Sequence, residues 1–300
     1  MPASLSSSQI DSYKKDGFLF PIDAMSAGEA ASLRSEVENI EQAYPDGSLP
    51  QPVSQYFRVG AQVVIPQMAR IANTPAVLDA VQSILGPNLL VWSCELFIKE
   101  PKTRKIVSWH QDLTYWGMGE TDGQLTAWIA LSPATSQSGC MKFVSGSHKN
   151  QIVPHRDTFH EDNLLSRGQE IALYVDEATA TDIVLQPGQM SLHHGRMFHA
   201  SGPNTSDDRR IGCAIRYVTP GVNQLVGERD YAMLVRGYDA EQNWINVAAP
   251  SEAFGSDSLA LYEPIRRDQA AALAHGAAQK VGMYADAAVS MVFAMETETP

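Results

Sequence analysis

Hydrophobic positions along the chain fall into two regimes. Over roughly the first 88 residues they recur at helical spacing. "SSSQIDSYKKDG" (6–17) sets serines before a short periodic run and stops at Gly17. "SAGEAASLRSEVENIEQAYPDG" (26–47) predicts a longer amphipathic helix closed by Pro45 and Gly47. "TPAVLDAVQSILGPN" (74–88) has a threonine cap, a proline in the first turn and a glycine at its end.

From Leu89 the pattern becomes strand-like. "NLLVWSCELFIKEP", "KIVSWHQDLTYW", "GQLTAWIALSPA", "GCMKFVSGSH", "IALYVDE", "ATDIVLQPGQMSLHHG", "MFHASGPN" and "RRIGCAIRYVTPG" are short runs separated by turn residues. Such a series predicts a closed or sandwiched antiparallel sheet. Helix-like text returns in "RRDQAAALAHGAAQKVGMYADAA" (266–288). The expectation is one domain over 1–300, mainly β with flanking helices around a jelly-roll core. Its parts are a helical region at about 1–88, the core at about 89–220, and a lid and C-terminal helical region at about 221–300. Segments 42–60, 154–170 and 222–256 are the lid candidates.

Composition narrows the function. With 300 residues and 44% hydrophobic content the chain can bury a large core. A net charge of −12 with no basic cluster beyond two "RR" pairs speaks against nucleic-acid and anionic-membrane partners. No apolar run reaches the ~18 residues of a membrane span, and the N-terminus lacks the pattern of a secretory signal. Cys94, Cys140 and Cys213 stand far apart in apolar contexts. They read as buried reduced thiols of a cytoplasmic protein.

The chemistry concentrates in two places. In "SWHQD", His110 and Asp112 are two residues apart, and in a strand such residues share a face. In "SLHHGRMFHASGPN", His193, His194 and His199 fall within seven residues. An extended chain would put His193 and His199 about 20 Å apart, so a bend at "HGR" must split the segment, with His199 opening the second piece. Ser201 follows on the face of His199. The next strand alternates Arg210, Gly212, Ala214 and Arg216 on one side with Arg209, Ile211, Cys213, Ile215 and Tyr217 on the other. Arginines spaced by small residues suit a bound anion, and Arg210 can lie near Ser201 and His199 across the hairpin. Two histidines and a carboxylate on a β scaffold match the facial triad of non-haem iron(II) oxygenases.

With these residues in view, the chain resembles the phytanoyl-CoA dioxygenase family of Fe(II)/2-oxoglutarate oxygenases. The similarity runs through "GFLFP", "LFIKEP", "SWHQD", "LTAWIALSPATSQSGCMKFVSGSHK", "LSRGQEI", "PGQMSLHHGRMFHASGPNTSDDRR" and "AIRYVTP", roughly residues 8–220. The resemblance implies a double-stranded β-helix (jelly-roll, cupin-like) core. It implies iron ligation by His110, Asp112 and His199, and a 2-oxoglutarate clamp at Arg210 assisted by Ser201. Thr126 is a further candidate for 2-oxoglutarate.

The implied cofactors are Fe(II), 2-oxoglutarate as co-substrate and O2. The implied reaction is C–H hydroxylation of a small soluble metabolite with release of succinate and CO2. Asp112 disfavours halogenation, which needs a small residue at that position. The alternative is a non-catalytic or 2-oxoglutarate-independent metal-binding cupin-type protein.

Tyr115, Trp116, His194 and Arg216 are candidates for the substrate side. Trp109, Trp116 and Trp128 otherwise read as core, and His148 as a structural hydrogen-bonding residue. His155 and His160 read as residues of a surface lid, Lys99 and Lys105 as solvated lysines, and Arg216 as one half of an ion pair.

Overall fold

The computed structural model describes residues 4–275 and 277. The first helix begins at the serines that the sequence offers as its cap. α1 (Ser7–Asp16) and α2 (Ala27–Ala43) each start at a reciprocal capping box, Ser6 with Gln9 and Ser26 with Glu29. Gly17, at φ 85°, ends α1 in the left-handed conformation that a side chain resists and turns the chain into β1 (Phe18–Asp23). Three short helices follow, α3 (Val53–Arg58), α4 (Ala61–Val64) and α5 (Pro66–Ala72), and then α6 (Pro75–Leu85). Pro75 opens α6 and Gly86 closes it, although the Thr74 side chain makes no capping bond.

The strands are β2 (Leu89–Lys99), β3 (Val107–His110), β4 (Gln124–Ala130), β5 (Met141–Val144), β6 (His155–Asp157), β7 (Gln169–Ile171), β8 (Ala180–Ile183), β9 (Gln189–His194), β10 (His199–Ser201), β11 (Arg210–Val218), β12 (Tyr231–Arg236) and β13 (Ile245–Asn246). They form a seven-stranded sheet in the order β1-β9-β4-β11-β2-β12-β13 and a four-stranded sheet in the order β3-β10-β5-β8. A β6-β7 hairpin stands apart, and α7 (Ser256–Ala274) closes the described chain. No described helix is long and apolar enough to cross a membrane.

Helices and strands hold similar shares of the described residues, so the fold is mixed rather than mainly β. Neither end is purely helical. β1 joins the large sheet beside β9, and β12, inside the lid candidate 222–256, pairs with β2. "IALYVDE" is not a strand beyond Ile171, because Leu173 and Tyr174 are exposed and find no partner strand. The alanine-rich run is helical as far as Ala274, and its continuation past Ala277 lies outside the described residues.

Alternation along β11 sorts the two faces as the sequence predicts. Ile211, Cys213, Ile215 and Tyr217 pack with Val37, Tyr56, Met68 and Val81 of the helices in the main core. Ala214, on the other face, packs with Trp128 of β4 and Met141 and Phe143 of β5, so the two sheets face each other there. Gly212 permits this packing. A Cβ at Gly212 would stand 1.8 Å from Cζ2 of Trp128, whose ring is buried. Gly212→Ala should therefore destabilise the fold by about 1–3 kcal/mol through overpacking. The expected reading is a lower urea midpoint at unchanged slope. An unchanged midpoint would mean that the indole does not lie over this glycine.

Candidate metal centre and adjoining cavity

β10 is three residues long and lies between β3 and β5, with His199 opposite His110 on one side and Phe143 on the other. This register brings the two imidazoles to a centroid separation of 4.0 Å. Asp112 does not arrive by strand alternation as the sequence suggested. β3 stops at His110, and Asp112 opens a 3-10 turn (Asp112–Thr114) that swings its carboxylate back. Asp112 Oδ1 is 3.3 Å from His110 Nε2 and 3.8 Å from His199 Nε2. The three residues offer ligand atoms within 4.8 Å of one another, and no other such group occurs among the described residues.

Donor chemistry fits a metal. His199 Nδ1 lies 2.9 Å from Met197 O, and His110 Nδ1 lies 2.9 Å from Ser108 O and 3.1 Å from His199 O. Carbonyls only accept, so each Nδ1 carries the proton and each Nε2 presents its lone pair to the centre. Burial, reinforced by His110, holds His199 well below its usual range, which keeps it neutral. Burial pushes the Asp112 carboxyl up, but His199, His110 and His193 outweigh it and hold it well below the usual carboxylate range.

The residue between the ligands, which the sequence reading passed over, locks this turn. Gln111 is fully buried. Its side chain donates to Arg196 O at 2.9 Å and accepts from Val153 N at 2.9 Å. Its backbone N–H donates to His155 Nε2 at 3.1 Å, so His155 is half-buried against the site rather than a free surface residue. Burial pulls the His155 pKa down to about 4, consistent with an acceptor nitrogen. His148 bonds Lys14 O at 3.2 Å, as its structural reading predicts, and His160 is exposed.

A cavity of about 430 Å³, its open mouth included, adjoins the three ligands. Arg210, Ser201, Thr126, Trp128, Arg216 and His193 face it. Arg210 is 1% exposed, donates from Nη1 to Gly139 O at 3.1 Å and keeps Nε without a partner. Burial lowers its pKa to about 10. Thr126 Oγ1 accepts from Gln124 at 3.2 Å.

His193, not His194, stands beside Asp112, with Nε2 3.8 Å from Oδ2. His194 points away, to Asp122 at 3.1 Å, because alternation along β9 sends adjacent residues to opposite faces. Lys99 is not solvated. It is 1% exposed and donates to Ser201 Oγ at 2.7 Å. Lys105 is part-exposed and bonds Glu161 O.

Tyr115 and Trp116 line a second cavity next to the first, with Arg58, Trp92, Glu95 and Arg216. Arg58, which sequence reasoning missed, stacks 4.1 Å over Phe97. Arg216 borders both cavities. It makes the expected ion pair, a long one of 3.5 Å to Glu95, and lies 4.7 Å over the Trp116 ring. Its Nε and Nη1 have no partner. The irregularity in β11 falls between Arg216 and Tyr217, not at Gly212, so Arg210 and Arg216 do share a face.

The profile of the phytanoyl-CoA dioxygenase (PhyH) family matches residues 13–212. A probable phytanoyl-CoA dioxygenase of Caenorhabditis elegans is 27% identical over 158 residues, 51% of each chain. The human peroxisomal phytanoyl-CoA dioxygenase is 23% identical over 192 residues, 60% of this chain and 57% of that one. The matches thus span little more than half the length of these two relatives. Among solved structures, the apo non-heme monooxygenase ThoJ is 34% identical with a TM-score of 0.80, covering 89% of this chain and 98% of that one.

These relatives correct one expectation. The human and bovine proteins are peroxisomal, so the cytoplasmic assignment does not stand. Cys94, Cys140 and Cys213 are indeed buried and free, but burial shields a thiol in any compartment and so does not report one.

Alanine at His110, Asp112 or His199 should cost more than about 100-fold in Ni(II) affinity, whereas His193→Ala should cost about 10-fold or less. Calorimetric titration of Ni(II) measures this. Equal loss at His193 with retention at His199 would overturn the ligand set.

Proposed function

The chain belongs to the phytanoyl-CoA dioxygenase (PhyH) family, and on that basis we propose that it is an Fe(II)- and 2-oxoglutarate-dependent dioxygenase. In this reading it hydroxylates a C–H bond of a small soluble metabolite and releases succinate and CO2. The observation that carries the reading is the meeting of a two-histidine, one-carboxylate group with buried Arg210 in one cavity. A 2-oxoglutarate-independent metal protein has no use for that arginine, and Asp112 leaves no small-residue vacancy for a halide.

Iron(II), when bound, supplies dioxygen activation, with 2-oxoglutarate as the source of two electrons. The chain's own residues supply position and polarity. His110, Asp112 and His199 would hold the ion with two imidazoles and a carboxylate beside the cavity. Arg210 receives the distal carboxylate of 2-oxoglutarate with its unpartnered Nε edge, beside the Ser201 hydroxyl and near Thr126. Phe143 packs against His193 and His199, at centroid distances of 4.9 and 5.9 Å, and shields the ligands from water.

Tyr115, Trp116 and Arg216 form the substrate end in this proposal. The strand order also supports reading the core as a double-stranded β-helix. Successive strands β2, β3, β4 and β5 alternate between the large and the small sheet, and so do β8, β9, β10 and β11. A single domain over 1–300, with the core at about 89–220, goes with that reading.

The direct test is succinate release over a panel of metabolites, with mass spectrometry for a product heavier by one oxygen. Arg210→Ala should raise the 2-oxoglutarate requirement by the equivalent of about 2–5 kcal/mol. An unchanged requirement would move the clamp elsewhere.

Arg216→Met keeps the bulk over Trp116 and removes the charge. Substrate-independent decarboxylation should survive while coupled turnover falls about tenfold or more, as expected for a charge-assisted contact to an anionic substrate group. No change, or simple loss of stability, would leave Arg216 as the structural partner of Glu95.

A further inference from the structure

Lys99 ends β2 directly opposite Arg210, the first residue of β11. Both are 1% exposed, which is rare for either residue without a counter-ion. Yet among the described residues neither contacts a carboxylate. Lys99 Nζ meets Ser201 Oγ at 2.7 Å, Ser201 O at 3.3 Å and Gly202 O at 2.5 Å. Arg210 meets Gly139 O and the face of Trp128. Burial and the facing Arg210 pull the Lys99 pKa down to about 6, so an anion between or beside the two is what holds both of them charged.

The hydrogen bonds carry a direction as well. Two of the three groups around Nζ are carbonyls, which only accept, and with an anion beside Arg210 the lysine is held as an ammonium with three protons to give. Its third proton goes to Ser201 Oγ. That oxygen then holds an accepted bond from Lys99, and its own proton must go elsewhere. Ser201 lines the cavity beside Arg210 and Lys99 does not.

The backbone around this relay is fixed. The Asn204 side chain donates to Lys99 O, Glu100 O and Asp208 O, which clamps the turn after Ser201 onto the end of β2. A Cβ at Gly139 would lie 2.4 Å from Gly202 O, so the loop that accepts from Arg210 also packs on this turn.

We propose that Lys99 is a positioning residue for the co-substrate. Its ammonium holds Ser201 Oγ as an acceptor and turns the Ser201 hydroxyl proton into the cavity, toward the distal carboxylate that Arg210 receives. It also places a second positive charge behind that carboxylate. Lys99 therefore selects 2-oxo acids with a distal carboxylate over those without one. This rests on the co-substrate reading given above.

The test is calorimetric titration of 2-oxoglutarate and of 2-oxobutyrate, which lacks the distal carboxylate, into Ni(II)-loaded protein. Lys99→Met should weaken 2-oxoglutarate about 10- to 100-fold, or ~1.4–2.7 kcal/mol, and change 2-oxobutyrate and Ni(II) affinity by less than about threefold. Lys99→Arg should recover most of the loss. Ser201→Ala should weaken 2-oxoglutarate in the same direction. Combining it with Lys99→Met should add less than the sum of the two, because the lysine acts through the serine.

Equal weakening of both 2-oxo acids, or full additivity, overturns the inference. If Lys99→Met does not fold, Lys99→Gln gives the same reading, since it removes the charge and keeps a donor; unchanged selectivity there overturns it too. Wild-type protein that binds Ni(II) but not 2-oxoglutarate overturns the co-substrate reading itself, and with it this inference.

Discussion

The pairing of His199 with His110 across β10 and β3 is the constraint on which the candidate site depends. β10 has only three residues, and a slip of one would turn His199 away and present Ala200 in its place. So short a strand cannot hold its own register. It is held at both ends. Ahead of it, Phe198 N donates to Ser147 Oγ at 2.9 Å and Leu113 N donates to Gly195 O at 3.0 Å. Behind it, Asn204 ties the turn to β2 and Asp208. Gln111 then couples the two segments by bonding Arg196 O from between the two ligands of the first motif. The polar residues around the site are therefore as necessary to its geometry as the ligands.

A second consequence follows from the two faces of β11. One face buries aliphatic residues against the helices, which anchors the strand in the main core. Only a strand fixed in that way can present two arginines inward, because each buried cation works against folding until something anionic meets it. Gly212 and Ala214 keep the space between them clear, and Trp128 fills the room over the glycine. The chain carries a net charge of −12, yet the wall to which Arg210 and Arg216 contribute is cationic. That local inversion concentrates anions at the cavity while the outer surface repels them.

Much of this was legible in the sequence, and what was not shares a physical cause. His110, Asp112 and His199 stood out by residue type and spacing, and Arg210 by alternation along a strand whose other face is plainly apolar. The serine start and glycine stop of α1, and the Pro75 and Gly86 ends of α6, are local and were legible. Lys99 was misread because a lysine at a strand end is solvated by default. Its burial follows from lying opposite Arg210, a pairing between residues far apart in sequence. The choice between His193 and His194 turned on the facing of β9, which β1 and β4 set from outside it. β12 was taken for lid because its core face is read only once β2 lies beside it. The turn that carries Asp112 was hidden for the same reason: Gln111 makes it through partners at 153, 155 and 196.

The two cavities adjoin and share lining residues. Arg216 is one of them, and its bonding is incomplete on each side. Its contact with Glu95 is 3.5 Å, longer than a charge-assisted hydrogen bond. Glu95 meanwhile accepts from Ser93 at 3.0 Å, which holds the carboxylate against β2 rather than toward the arginine. Trp116 supports the guanidinium from one face, and Trp116 itself leans on Trp92 at 5.1 Å. Trp92 in turn donates to buried Asp230. The guanidinium is thus held in place by stacking while its hydrogen-bonding edge stays open. A stacked arginine loses little freedom on gaining a partner, so an anionic group arriving from the outer cavity meets a donor already oriented. The same residue lies close enough to Asp112 to help keep that carboxylate ionised. One side chain thus borders the outer cavity and acts electrostatically on the ligand set.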